Sequence, residues 1–242
     1  SLKILGASLS GGLTASAGNV INDIFDIEID KINRPMRPLP VNKITPGEAA
    51  KYYSILVVFS LIISYLINID AFIIVIGSSA LLFLYSYKLK KFALTGNIVV
   101  AFMTGLAFIY GGVAVNNFSF AIIPAVFAFL INLIREIVKD IEDLEGDLKA
   151  GVTTFPHIYG IRAAKKIIFI VSIILIIATF YPFVIRIYRI EYFIMVMAIV
   201  NPLIVYILKS LYKDDSRKNL NKLSFILKLD MIFGLIAIFL GK

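Results

Sequence analysis

Two short segments hold most of the acidic residues of this 242-residue chain. Of its sixteen Asp and Glu, four lie in NDIFDIEID (22–30) and six in REIVKDIEDLEGD (135–147). The chain as a whole is basic, with a formal net charge of +8. Neighbouring carboxylates on one surface repel each other, and more strongly at low dielectric. Both segments therefore predict a site for cations.

The spacing within the first segment indicates a column of oxygen ligands. On a helix, Asn22, Asp26 and Asp30 stand four residues apart and share a face. Asp23 lies beside them, three residues before Asp26. We predict that this face binds metal, and that Asp23 either ligates the ion or orients its ligands.

The second segment carries a similar column. Asp140, Asp143 and Asp147 follow a three- and four-residue spacing that also places them on one helix face. Carboxylates, together with the carboxamide of Asn22, are the hard oxygen ligands that suit Mg²⁺. Mg²⁺ usually keeps positions for water and phosphate oxygens. Two columns facing one cavity would therefore predict ions that hold a diphosphate.

Basic residues accompany both columns and could neutralise such a diphosphate. These candidates are Arg34, Arg37, Lys88, Lys90, Lys91, Arg135 and Lys139. Three further acids of the two segments, Glu28, Glu142 and Glu145, point off the two faces, and we expect them at a solvated rim.

The elements that must position these side chains are membrane helices. The chain is 60% hydrophobic and 17% charged, whereas soluble domains run near 45–50% and about 25%. Apolar stretches of about 20 residues recur, each long enough to cross a bilayer as a helix. The sequence thus predicts an all-α transmembrane bundle. We therefore interpret its Lys and Arg residues as markers of membrane topology and not as a surface that binds nucleic acid.

We predict eight spans in a single transmembrane domain that covers residues 1–242. They lie near 2–30, 48–67, 71–88, 95–115, 119–139, 163–185, 190–210 and 221–241. The first is rich in Gly, Ala and Ser, which predicts close packing against neighbouring helices. The absence of Cys excludes disulfides and thiolate metal sites.

Charge asymmetry between the loops predicts the orientation. Lys and Arg concentrate in the longer connections, 31–47, 89–94, 140–162 and 211–220, whereas the short ones hold only Arg186 and Arg189. Positive residues near span ends stay in the cytoplasm. We therefore expect the longer loops, both acidic columns and a central cavity to open on the cytoplasmic side of an integral, multi-pass protein.

Four motifs in order carry a resemblance to a known family. They are NDxxDxxxD at 22–30, its continuation KINRPMRPLP at 31–40, a YSxxLK element at 85–90, and KDIEDLEGD at 139–147. Together they resemble the UbiA superfamily of intramembrane prenyltransferases. The second acidic motif is most similar to the archaeal ether-lipid branch, the geranylgeranylglycerol-phosphate geranylgeranyltransferases.

The resemblance implies a reaction and roles for particular residues. The reaction is Mg²⁺-dependent transfer of a prenyl group, here geranylgeranyl, from its diphosphate to a lipid acceptor such as geranylgeranylglyceryl phosphate. Asp26, Asp143 and Lys139 take catalytic roles, and Tyr85 joins the diphosphate-binding residues. Aromatic faces such as those of Tyr85 and Phe25 are candidates to stabilise an allylic cation.

The sequence departs from the family pattern at three points. The family has nine spans, and this sequence opens inside what corresponds to the second. Lys91 stands where the family has Arg, and Arg135 stands where it has Tyr. An Arg at that position suits an anionic acceptor.

Three alternatives stay open at the level of sequence. Within the family, the acceptor could be aromatic, as in quinone or haem biosynthesis. In another class, a cation-coupled transporter would use the acids as an ion path, and such proteins place them near the bilayer midplane. The blandest alternative is a solvated rim of acids. Asp230 and Lys228 in the last span face different ways and receive no predicted role.

Overall fold

The computed structural model describes residues 2–144, 147 and 153–242, apart from the side chain of Asn33. Within these residues all regular secondary structure is helical. Eight of the helices are long and apolar enough to cross a membrane. The predicted all-α class and the predicted eight spans are therefore confirmed for this part of the chain.

Among the described residues, two short helices and a 3₁₀ turn accompany the eight long helices. In chain order the elements are α1 Leu2–Phe25, α2 Ile27–Asn33, α3 Pro46–Ile67, α4 Ile69–Tyr87, a 3₁₀ turn Leu89–Lys91, α5 Thr95–Ala114, α6 Phe118–Glu142, α7 Phe155–Tyr159, α8 Ile161–Val184, α9 Ile190–Lys213 and α10 Arg217–Leu240. A π-helical turn, Val196–Val200, interrupts α9.

The helix ends differ most from the predicted spans in two places. The span predicted over 2–30 breaks at Asp26, where α1 gives way to α2. The connection predicted over 211–220 shrinks to residues 214–216, because α9 and α10 continue beyond their apolar stretches. Lys and Arg are good helix formers, so a helix can continue past the residue at which its hydrophobic stretch ends.

Local signals fix the start of several helices. Thr45 and Glu48 form a capping box at the start of α3, with Pro46 in the first turn. Asn68 separates α3 from α4: its side-chain oxygen accepts from Ala71 N at 2.7 Å, and its amide donates to Val113 O at 3.0 Å.

The chain forms two compact units, and the first runs to Val99 and includes Leu106–Ile122. In it α1 packs against α3 and α4. Close approach depends on the small residues of α1, since a Cβ on Gly18 would lie 2.9 Å from Leu82. Thr14 and Ser60 add a side-chain hydrogen bond of 2.5 Å, and Ser10 bonds to Tyr110. The predicted tight packing of the first span is present.

The second unit comprises Val100–Gly105 and the chain from Ile123 onward. Its helices α8, α9 and α10 pack against one another. Tyr192 donates to the carbonyl of Thr179 at 2.8 Å, next to a bond between Thr179 and Asn201. These polar contacts stabilise helix packing in a setting where unsatisfied groups are costly.

Candidate active site

A helix break at Asp26 organises the first acidic segment. Asp26 ends the regular geometry of α1 and stands just before α2, with φ −97° and ψ 7°. The backbone nevertheless keeps four-residue bonding: Asp26 N donates to Asn22 O at 3.0 Å, and Asp30 N donates to Asp26 O at 2.7 Å. The break therefore leaves the four-residue backbone spacing of the predicted column in place.

Lys90 and its two oxygen partners form the first of two charge clusters at this segment. The Nζ of Lys90 donates to Asp26 Oδ1 at 2.6 Å and to Asn22 Oδ1 at 3.0 Å. The amide of Asn22 donates to Asp26 Oδ2 at 2.8 Å, which closes a triangle of bonds. The side chains of Lys90 and Asp26 are only 16% and 17% exposed, so bulk solvent screens this pair weakly.

Arg37 and two aspartates form the second cluster. One guanidinium nitrogen, Nη1, donates to Asp23 Oδ1 at 2.6 Å and to Asp30 Oδ2 at 2.7 Å. The Asp30 side chain is 8% exposed and that of Asp23 is 39% exposed. Arg37 comes from the connection after α2, so this loop folds back over the acids that precede it.

The side chains group differently from the column that the spacing suggests. Asn22 and Asp26 share Lys90, whereas Asp30 joins Asp23 on Arg37. Two predicted diphosphate-binding residues thus contact predicted metal ligands directly. Their roles with substrate stay predictions.

Gly96 helps to place Lys90, although none of the four sequence motifs includes it. A Cβ on Gly96 would lie 3.3 Å from Lys90 Cα and 3.7 Å from the Tyr85 ring. The adjoining Leu94 has φ +64°, an uncommon conformation for a residue with a side chain. A Gly five residues beyond a positively charged 3₁₀ turn was the available signal for this close approach.

The other predicted bases of the first unit lie at its surface. Arg34, Lys88 and Lys91 are exposed, and the Lys88 ammonium lies 6.0 Å from the Phe92 ring. Tyr85 is half-buried in the last turn of α4. Phe25 packs edge-on against Phe83, with ring centroids 5.7 Å apart. Ordinary aromatic packing therefore accounts for Phe25, and its role with a cation stays a prediction.

The second acidic segment also keeps helical bonding past its helix end. Asp143 N donates to Lys139 O, and Asp147 N donates to Asp143 O, each at 2.9 Å. Burial raises the pKa of Asp147, and the neighbouring charge of Asp143 adds to this, while Lys139 opposes it. A cation bound beside Asp143 and Asp147 would relieve that repulsion.

Side chains around this second segment have partners of their own. Arg135 donates to Glu136 at 2.6 Å, and its Nε is buried without a hydrogen-bond partner among the described residues. Glu142 accepts from Asn221 at 2.9 Å, and half-buried Asp140 lies in the last turn of α6.

Glu28 of the first segment pairs with Lys31 and is 81% exposed, in keeping with the rim interpretation. Glu145 lies outside the described residues.

The two segments belong to different units. The prediction that their columns face one cavity stays a prediction.

The donor chemistry of the first segment fits Mg²⁺. Across residues 2–144, 147 and 153–242, no three acidic or histidine side chains converge as a complete metal cage. The oxygens of Asp23 and Asp30 instead converge on one nitrogen, and those of Asn22 and Asp26 on another. Such pairs suit an ion that takes one or two carboxylates and fills its shell with water and phosphate oxygens.

A cavity of about 190 Å³ adjoins the Arg37 cluster. Asp23, Asp30 and Arg37 line one part of it, and Pro38, Leu39 and other apolar residues line the rest. Pockets for larger ligands measure about 300–1,000 Å³. This cavity has room for waters or a phosphate-sized group and is too small for a twenty-carbon chain.

Comparison with known proteins assigns the family. The chain matches the UbiA prenyltransferase family over residues 1–229. It belongs to this family. The resemblance drawn from the four motifs and the predicted enzyme class, a prenyltransferase, are both confirmed.

A curated relative in the family is similar over most of its length. The digeranylgeranylglyceryl phosphate synthase of Methanocaldococcus jannaschii is 42% identical over 228 residues, which are 93% of this chain and 78% of that protein. The similarity therefore covers both acidic segments and most of the eight helices.

Two solved structures share the fold. One, described as giving insights into the biosynthesis of digeranylgeranylglyceryl phosphate synthase in membranes, is 39% identical with a TM-score of 0.86, covering 99% of this chain and 85% of that one. A UbiA homologue from Archaeoglobus fulgidus bound to GPP and Mg²⁺ is 23% identical with a TM-score of 0.71, covering 98% and 88%. At that identity the second likeness concerns the fold alone.

The last span holds a buried acid outside both segments. Asp230 is 1% exposed, and neither of its carboxylate oxygens has a hydrogen-bond partner among the described residues, whereas Lys228 is exposed. The two residues face different ways, as their spacing predicts. Burial of an isolated carboxylate in this setting is very costly.

Proposed function

We propose that this chain transfers a geranylgeranyl group from geranylgeranyl diphosphate to geranylgeranylglyceryl phosphate, with Mg²⁺, in the assembly of membrane ether lipids. The observation that carries the proposal is its 42% identity, over 93% of the chain, to a relative named for that product. The GPP and Mg²⁺ bound to the Archaeoglobus fulgidus homologue support the kind of donor and the metal.

The charges of the first segment explain why a metal is needed. Asp23, Asp26 and Asp30 bring three negative charges, and Lys90 and Arg37 are already paired with them. A diphosphate anion that approached without a metal would meet these three carboxylates. Bound Mg²⁺ supplies the positive charge that holds the diphosphate and stabilises the departing pyrophosphate.

The chain's own residues act on both ends of the breaking bond. Lys90 and Arg37 donate to phosphate oxygens as the C1–O bond breaks and its electron pair leaves with pyrophosphate. The acceptor hydroxyl oxygen then attacks the allylic carbon and loses its proton to the departing pyrophosphate. Apolar helix surfaces hold the prenyl tail and keep water from the cation, which gives the membrane location a chemical reason.

The second segment is proposed to act in the same reaction. Asp140, Asp143 and Asp147 provide further metal-ligating carboxylates, and Lys139 and Arg135 provide positive charge for the donor or for an anionic acceptor. Arg34, Tyr85, Lys88 and Lys91 are proposed to bind phosphate oxygens at the rim. The loop charge asymmetry supports a cytoplasmic location for both segments.

Binding of a non-cleavable donor tests the donor and the metal. Purified protein is titrated with geranylgeranyl thiodiphosphate in the presence of Mg²⁺ and in the presence of EDTA. We expect binding with Mg²⁺ and a loss of at least tenfold in affinity without it. Metal-independent binding, or no binding, would contradict the proposal and favour a transporter or a simple binding protein.

A second assay tests the acceptor. The protein receives radiolabelled geranylgeranyl diphosphate with either geranylgeranylglyceryl phosphate or 4-hydroxybenzoate. We expect a lipid-soluble product only with the glyceryl phosphate. Product only with the aromatic acid would assign the chain to the aromatic prenyltransferases.

A further inference from the structure

We propose that Lys90 and Arg37 are exchangeable counter-ions, which hold the first acidic segment closed to free Mg²⁺ and move to the diphosphate when it arrives with the metal. This inference rests on the proposed function and adds an order of binding: metal and diphosphate enter together. It starts from bonds that the two bases already make to the proposed metal ligands.

In the Lys90 cluster, the oxygens that could ligate a metal ion already accept hydrogen bonds. Lys90 engages Oδ1 of both Asp26 and Asn22, and Asn22 engages the second oxygen of Asp26. A divalent ion that ligates both Oδ1 atoms must displace the ammonium from them. If the ammonium stayed, the two cations would lie within a few ångströms at reduced dielectric and repel strongly.

The displaced ammonium needs another acceptor. The Lys90 side chain is 16% exposed, so water compensates it only in part, and a buried charge without a partner is costly. Free Mg²⁺ offers no acceptor. A metal-bound diphosphate offers several phosphate oxygens, so the same displacement becomes favourable.

The same displacement argument applies to the Arg37 cluster. One nitrogen of Arg37 holds both Asp23 and Asp30, and the adjoining cavity of about 190 Å³ can admit a phosphate group. Arg37 can therefore turn from carboxylate to phosphate without a rearrangement of helices. Metal and diphosphate should accordingly raise each other's affinity by the same factor.

Manganese binding to the substrate-free protein tests the exchange. Mn²⁺ replaces Mg²⁺, and free Mn²⁺ is measured by electron paramagnetic resonance, with and without geranylgeranyl thiodiphosphate. Removal of the counter-ion by Lys90→Met should tighten Mn²⁺ binding at least tenfold in the absence of the thiodiphosphate. Lys90→Arg keeps the charge, so in the absence of the thiodiphosphate its Mn²⁺ affinity should stay within twofold of the wild type.

Lys31→Met is the matched control for loss of one positive charge. Lys31 belongs to the same region but pairs with the exposed Glu28, so its removal should leave Mn²⁺ affinity within twofold. In the wild type, the thiodiphosphate should tighten Mn²⁺ binding at least tenfold, and in Lys90→Met by much less. Should Lys90→Met fail to fold, Arg37→Gln decides by the same criteria.

The outcomes separate the two proposals. If wild-type protein binds no thiodiphosphate in the presence of Mn²⁺, the proposed function fails. If it does bind, but the counter-ion variant takes up Mn²⁺ no more tightly than the wild type or as tightly as Lys31→Met, only the exchange is overturned.

Discussion

Asp26 is the side chain on which the proposed chemistry depends most directly. Both of its carboxylate oxygens are engaged, one by Lys90 and one by Asn22. It also stands at the break between α1 and α2. In the second segment Asp143 has the comparable place, because backbone bonds join it to Lys139 on one side and to Asp147 on the other.

At the residue scale, Asp26→Ala and Asp143→Ala should each lower the rate of prenyl transfer by roughly 10³-fold, because each removes a carboxylate that positions metal and diphosphate. The rate is measured with radiolabelled donor, and folding is checked by size exclusion and melting temperature. Glu28→Ala is the control, since Glu28 is 81% exposed. Near-normal turnover of either variant would remove that residue from the site.

At the scale of the helices, stability depends on how closely they approach each other. In lipid no hydrophobic force drives helices together, so small residues at the interface decide how closely they pack. A Cβ on Gly105 of α5 would lie 2.8 Å from the carbonyl oxygen of Ala125 on α6. A backbone atom cannot move aside as a flexible side chain can.

We therefore expect Gly105→Ala to lower the free energy of unfolding by about 1–3 kcal/mol through overpacking. Thermal unfolding in detergent measures the change. Gly77→Ala in α4 is the matched control, because nothing lies within 4 Å of its added Cβ, and it should lose no stability. Equal melting temperatures for the two variants would contradict the packing argument.

An ion pair ties α8 to the turn between α9 and α10. Lys165 donates to Asp215 at 2.9 Å, and this bond holds the pKa of the Asp215 carboxyl below its ordinary value. A folded-state pKa below the unfolded value of about 3.9 stabilises the fold above that pH. The contribution is lost as pH falls through the folded pKa.

Asp215→Asn should consequently lower stability at pH 7 by less than about 1 kcal/mol, because the carboxylate is half-exposed and screened. The difference from wild type should vanish below the folded pKa. Melting temperatures across this pH range test the prediction, and the double variant with Lys165→Met should lose no more than either single variant. A difference that persists in acid would assign the effect to something other than this pair.

At the scale of the whole molecule, orientation in the membrane follows from loop charge. The chain has no Cys, so single introduced cysteines report topology without background. Lys43→Cys and Lys213→Cys lie in or beside the longer, basic connections, and Asn117→Cys and Ile185→Cys lie in or beside the short ones. The first two positions should therefore be cytoplasmic.

A membrane-impermeant maleimide applied to intact cells should label the cysteines at 117 and 185 and spare those at 43 and 213. Labelling after lysis provides the control for reactivity. Labelling of positions 43 and 185 from the same side would overturn the predicted orientation and, with it, the cytoplasmic location of the proposed site.

The sequence by itself determined the membrane class, the eight helices and the family. Helical hydrogen bonds close within one segment, and lipid requires each spanning segment to be apolar, so these properties are written locally. The motif from Asn22 to Asp30 can likewise be recognised within one short segment of the sequence. Helix ends such as those at Lys213 and Arg217 were predicted less well from the sequence, because a helix can continue beyond its apolar stretch.

Only the tertiary structure decided which base meets which acid. Lys90 reaches Asp26 and Asn22 across 64 and 68 residues of sequence, and no periodicity relates positions so far apart. The grouping of Asp30 with Asp23 likewise depends on how the loop that carries Arg37 folds back. Helical spacing fixes direction along one element, whereas charge pairing depends on the packing of several.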